Sequence, residues 1–102
     1  MSAEFAPRSL LFVPGSRPER FAKAMDAGAD LVCIDLEDAV PPEQKGQARA
    51  AALEFLGGHA TAPVGLRINA LTTPDGIADL HALLELGCAP CFVMLPKTEA
   101  AA

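Results

Sequence analysis

Four short apolar runs divide the chain: SLLFV (9–13), LVCID (31–35), VGLRI (64–68) and CFVML (91–95). Each reads as a strand, because a brief run of apolar and branched residues between turn signals suits a buried sheet. The intervals carry helical patterns. Ser16 and Glu19 have the spacing of a capping box, with Pro18 in the first turn and Gly28 past the end. A second, alanine-rich helix is expected from about Pro42 to Leu56, with Gly57 as its stop. A third begins at Thr73 as N-cap with Pro74 in first position and stops before Gly87. Its expected buried face is Ile77, Leu80, Leu83 and Leu84. Strands and helices alternating in this rhythm imply parallel strands joined by right-handed crossovers.

Two architectures satisfy that rule, an open doubly wound sheet and part of a (β/α)8 barrel. No G-x-G-x-x-G follows the first strand, so a dinucleotide fold loses its usual support. A whole barrel takes about 250 residues; with 102 residues and four strands, this chain matches half of one. Neither a linker nor a low-complexity segment breaks the pattern, and one domain or part of one is expected over residues 1–102.

Charge and hydropathy narrow the partners. A formal charge of -5 argues against nucleic acid, since neutralising phosphates takes a basic surface. The apolar runs fall well short of a membrane span, and MSAEFAPRS has no signal-peptide core. No membrane partner is expected, and the placement is cytoplasmic. Cys88-Ala-Pro-Cys91 has the C-x-x-C spacing, but it lies between a helix end and a strand start. A reactive thiolate sits instead at a helix N-terminus. No second pair completes a zinc site, and packing is the expected role of these cysteines.

Polar residues enter each later strand only near its C-terminal end, where α/β proteins bind ligands. Side chains alternate along a strand, so Val64, Leu66 and Ile68 share one face and Gly65, Arg67 and Asn69 the other. By the same count Cys33, Asp35 and Glu37 share a face, and so do Val93, Leu95 and Lys97. Arg67 is then either a ligand-binding cation or the structural partner of Asp35 or Glu37. Asp38 either serves the site or caps the turn before Pro41 and Pro42. Arg17, Arg20 and Lys23 are most simply an exposed helix face, and His59 and His81 belong at surface or rim positions.

SLLFVPGSRPERFAKA, GADLVCIDLEDAV, Lys45 with Ala48-Arg49, VGLRIN and VMLPKTE follow one another in this order. Together they closely resemble the citrate lyase beta subunit and its relatives, the malyl-, citramalyl- and methylmalyl-CoA lyases of the HpcH/HpaI aldolase superfamily. The likeness runs from Arg8 to Glu99. It implies an α/β fold, the first half of a TIM barrel. It also implies a Mg2+-assisted carbon–carbon lyase that cleaves a citryl, malyl or related thioester to a 2-oxo acid and an acyl thioester. The intact form is expected to be a homo-oligomer.

By position, the resemblance gives Arg67 the grip on the substrate carboxylate and sets Phe12 beside the substrate. Glu37 and Asp38 become acids around the waters and groups of the metal. Arg17 and Arg20, near the helix start after Pro14-Gly15-Ser16, fall to the anionic part of a CoA or acyl-carrier prosthetic group. The direct Mg2+ ligands are expected outside these residues. A half barrel alone leaves strand edges and apolar surface open, so the isolated chain is expected to be inactive and to self-associate or fold poorly. Two other readings stand beside the lyase: a non-catalytic half-barrel or interaction module, and a sister aldolase acting on free 2-oxo acids.

Overall fold

A computed structural model of the chain describes residues 9–59, 61–87 and 90–96. Strand β1 is Leu10–Pro14, β2 is Leu31–Asp35, β3 is Val64–Arg67 and β4 is Val93–Met94. Between them run three α-helices, α1 (Phe21–Met25), α2 (Lys45–Gly57) and α3 (Pro74–Leu86). A 3-10 turn leads into α1 at Pro18–Arg20 and another into α2 at Pro42–Gln44. The strands form one parallel sheet in the order β1-β2-β3-β4. Sequential order without reversal is that of a barrel segment; a doubly wound sheet reverses its order at a switch point.

The sheet buries one face against the helices. Val13, Val32, Ile34, Val64 and Leu66 meet Phe21, Ala24, Ala48, Ala52, Leu53 and Leu56 in one core. This is the helix-facing parity set that alternation predicts for β3. On the other face, Phe12, Cys33 and Gly65 stand in register. A Cβ at Gly65 would lie 2.6 Å from the Phe92 ring and would overlap its carbonyl oxygen. Glycine is what lets the chain before β4 approach β3 this closely.

Punctuation fails at one helix and succeeds at another. Thr73 caps α3 by accepting a 3.1 Å bond from the Gly76 N–H, and Gly87 ends it at φ +83°. Such a cap is worth about 1 kcal/mol. The Ser16/Glu19 capping box, in contrast, does not form. Arg17 occupies the cap position of the 3-10 turn with no side-chain cap bond, and α1 is only five residues long. Gly57 lies inside α2 as its last residue, and the cap after it, Gly58, has ordinary negative φ.

The expected apolar face of α3 is turned differently. Gly76 and Asp79 are its buried positions, with Ala82, Leu83 and Leu86 packed at the core's border. Ile77 is 60% and Leu84 74% exposed, and Leu80 is exposed too. The reason is close approach: a Cβ at Gly76 would overlap the Ala70 carbonyl, so α3 is drawn in along its glycine and not along its widest apolar stripe. β4 differs as well. Val93 is in register with Leu66 of the helix-side core, which puts it on the helix side of the sheet, and β4 ends at Met94, before Leu95. Lys97, Cys88 and Arg8 lie outside the described residues.

Candidate functional site

The C-terminal ends of β2 and β3 bring Asp35 and Arg67 into register as neighbours. Arg67 donates from Nε to Asp35 Oδ1 at 3.0 Å and from Nη2 to Asp35 Oδ2 at 2.7 Å. The turn after β2 folds back on the same carboxylate. The N–H of Glu37 donates to Oδ1 at 2.9 Å and that of Ala39 to Oδ2 at 3.1 Å. Four donors thus surround a carboxylate that is only 2% exposed. Burial alone pushes the Asp35 carboxyl up, but the guanidinium and the two turn N–H groups together hold it below the ordinary carboxylate range. The bond to Asp35 in turn raises the Arg67 pKa, against an opposing effect of burial.

Asp35 thereby occupies the side of the fork formed by Nε and Nη2. The outer end, Nη1 with the second hydrogen of Nη2, has no partner among the described residues. Arg67 keeps 25% of its side chain exposed. Its guanidinium carbon lies 4.9 Å from the centroid of the Phe12 ring, a cation–π contact from β1. Glu37 Oε1 is 3.8 Å from Arg67 Nε, an ion pair too long for a hydrogen bond. Phe12, Glu37 and Arg67 therefore meet at one mouth, across three strands. The structural-partner reading of Arg67 and its free cationic end coexist in one side chain.

Asp38 lies exposed in the turn after β2. Among the described residues no group of three or more His, Cys, Asp or Glu side chains is placed to hold a metal ion. Cys33 is fully buried under this face, and burial first, then Asp35, push its thiol up to about 12, which makes it inert at neutral pH.

Arg17 and Arg20 are exposed, and among the described residues no hydrogen bond or ion pair joins them to Arg67, Asp35 or Glu37. Arg17 forms a 4.0 Å ion pair with Glu19. Arg20 and Lys23 line an open cleft of about 470 Å3 along β1, and Phe12 belongs to both that cleft and the mouth. The expected helix start behind Arg17 is a single 3-10 turn leading into a five-residue helix. Such a short element gathers little of the dipole that draws anions to longer helices.

A second constellation was not legible as a site. Lys45, the first residue of α2, donates to the carbonyls of Leu36 (3.2 Å) and Glu37 (2.8 Å) and to Asn69 Oδ1 (2.8 Å). Asn69 donates in turn from Nδ2 to Leu36 O (3.0 Å) and to Asp79 Oδ2 (2.7 Å), and its N–H also reaches Asp79 at 2.9 Å. Arg49 closes the chain on Asp79 at 2.7 Å and Asp75 at 3.0 Å. Ile68 still joins Val64 and Leu66 in the core, but Asn69, expected on the face of Arg67, bonds instead into the helix layer. The one signal for this network was the Lys45 and Arg49 positions within the family-like motifs.

With this geometry in hand, comparison with known proteins is informative. Residues 8–102 match the family model for HpcH/HpaI aldolase/citrate lyase. A citrate lyase subunit beta-like protein of Mycobacterium tuberculosis is 48% identical over 103 residues, covering 100% of this chain and 36% of that protein. An L-malyl-CoA/beta-methylmalyl-CoA lyase of Cereibacter sphaeroides is 42% identical over 98 residues, covering 93% of this chain and 31% of that protein. The solved citrate lyase beta subunit of M. tuberculosis, complexed with oxaloacetate and magnesium, superposes with a TM-score of 0.74 at 44% identity. That match covers 95% of this chain and 41% of the solved one. The chain spans about a third of the length of the curated relatives it matches.

Proposed function

The chain belongs to the HpcH/HpaI aldolase/citrate lyase family, and on that premise we propose that it carries the substrate-gripping part of a carbon–carbon lyase. Residues 1–102 are in this reading the N-terminal portion of a single TIM-barrel lyase domain. The substrate is a citryl, malyl or related 3-hydroxyacyl thioester of CoA or an acyl carrier. Its 3-hydroxyl loses a proton, the bond to the thioester's α-carbon breaks, and the electron pair passes to that carbon as an enolate. The α-carbon of the enolate then takes up a proton, and a 2-oxo acid and an acyl thioester result. The observation that carries the proposal is the outer end of Arg67, without a partner among the described residues and held over Phe12 by an Asp35 that accepts four bonds.

That end suits the carboxylate beside the reacting hydroxyl, because a planar fork meets two oxygens at once. A rigidly held fork also needs no reorganisation when charge shifts during bond cleavage. Phe12 supplies the apolar wall beside the substrate. Glu37 and Asp38 are assigned to waters and groups around a Mg2+ whose direct ligands come from outside these residues. When bound, that ion supplies Lewis-acid polarisation of the substrate oxygen. Arg17 and Arg20 are assigned to the anionic part of the thioester carrier.

The relatives' names support this reading, as does the solved relative's oxaloacetate and magnesium. Titration calorimetry with oxaloacetate, with and without Mg2+, tests it. Arg67→Lys should weaken binding at least about tenfold, since a hydrogen bond to a charged group is worth about 1.5–3 kcal/mol. The second reading, a non-catalytic module, is favoured by the prior commitment of two Arg67 donors to Asp35. It requires no binding under either condition. Binding that Arg67→Lys leaves unchanged would remove the role given to Arg67.

A further inference from the structure

The sequence leads to Arg67 and the acids beside it, but the structure adds a cation behind them. Lys45 is half-buried, and its three ammonium bonds go to neutral oxygens: two carbonyls of the turn after β2 and the Asn69 amide. A lysine fixed by three uncharged acceptors is an expensive way to close a turn, since each long side chain gives up rotamer freedom when held. The direction of the Asn69 amide is imposed from behind. Its Nδ2 must donate to Asp79, which is 1% exposed and held by Arg49, so Oδ1 faces Lys45.

We propose that Lys45 is a positioning residue for the Arg67 site, acting through the backbone of residues 36–39. By drawing the Leu36 and Glu37 carbonyls toward Asn69, it fixes the turn whose Glu37 and Ala39 N–H groups clamp Asp35. Asp35 so held leaves Arg67 one orientation, with its outer end toward the mouth. The same clamp sets the Glu37 backbone on both sides, because Glu37 N–H goes to Asp35 and Glu37 C=O to Lys45. The inference deepens the proposed function by naming what aims the carboxylate grip. It rests on that reading only for the purpose of the aim, not for the aim itself.

Nitrogen-15 NMR of the arginine Nε–H groups in the ligand-free chain tests it. Arg67 Nε–H, bonded to Asp35, and Arg49 Nε–H, bonded to Asp79, supply one reporter of the site and one of the fold. In Lys45→Met, the Arg67 Nε–H should exchange with water at least about tenfold faster while the Arg49 signal stays where it is. Lys45→Gln, which keeps a donor able to reach part of the clamp, should restore part of that protection. Unchanged Arg67 exchange in Lys45→Met overturns the proposal. So does loss of the Arg49 signal in both variants, which would make Lys45 a folding residue alone. Oxaloacetate titration of the parent chain and of Arg67→Lys separates the two levels: binding that Arg67→Lys leaves unchanged counts against the lyase reading and leaves the exchange result to decide the role of Lys45.

Discussion

The polar mouth at the ends of β2 and β3 and the apolar flank formed by α3 and β4 differ in how completely each is closed. At the mouth and in the network behind it, Asp35, Asn69 and Asp79 are buried, and none of the described buried side-chain nitrogens or oxygens lacks a hydrogen-bond partner. On the flank, Ile77, Leu80 and Leu84 of α3 and Val93 and Leu95 at β4 all stand exposed. The contrast separates two requirements of the fold. The buried polar side chains there find their hydrogen-bond partners within residues 35–79, and Phe12 of β1 packs on Arg67. The flank presents a surface whose burial would have to come from other atoms.

The sharpest test of the mouth is Asp35→Ala. It strips Arg67 of two bonds and leaves two turn N–H groups without their acceptor. Breaking a buried pair from one side costs about 3–5 kcal/mol, and the quarter exposure of Arg67 brings that to about 2–4 kcal/mol. Urea unfolding followed by circular dichroism measures it. A loss below about 1 kcal/mol would show that the mouth is not self-supporting, and the comparison would collapse.

Acid should act on the same pair with a smaller effect. The folded pKa of Asp35 lies below its ordinary value of 3.8. As pH falls through 3.8, the unfolded chain takes up a proton there before the folded chain does, so stability declines with falling pH in that window. Above 3.8 the contribution is complete. Unfolding midpoints between pH 5 and pH 3 should therefore drop less steeply in Asp35→Asn than in the parent chain. Equal slopes would mean that Asp35 is not the group being titrated.

The difference between the two regions also explains what could be read in advance. Parity placed Asp35 and Arg67 on one face of neighbouring strands, because alternation is strict within a strand and the register leaves them side by side. Thr73, Pro74 and Gly87 marked α3 because capping chemistry is local. The Lys45–Asn69–Asp79 chain joins three elements distant in sequence, and no local period encodes it. Asp79 in particular occupies a buried helical position that an apolar pattern reads as polar surface. The face of α3 was missed for a related reason: a hydrophobic stripe says what a helix would bury, while Gly76 against Ala70 decides what it does bury. Ser16 and Glu19 had the right spacing, but the chain enters α1 through a 3-10 turn capped at Arg17.

The flank should respond in the opposite sense to the mouth, with little effect on folding and a visible one on association. Leu84 is 74% exposed and Ile77 60%, so replacing both by glutamate removes little packing. Surface changes of this kind stay within about 0.5 kcal/mol each. The two charges would, however, interrupt the exposed apolar surface of α3. Sedimentation velocity of the parent chain at tens of micromolar should show species heavier than a monomer, and the Ile77→Glu/Leu84→Glu chain should sediment as a monomer with nearly the parent's urea midpoint. A parent chain that sediments as a monomer and leaves an apolar-binding dye dark would mean that the flank is closed in solution. A double variant that unfolds would mean that these side chains are packed. In either case the flank would be as self-sufficient as the mouth, and the distinction between them would rest on polarity alone.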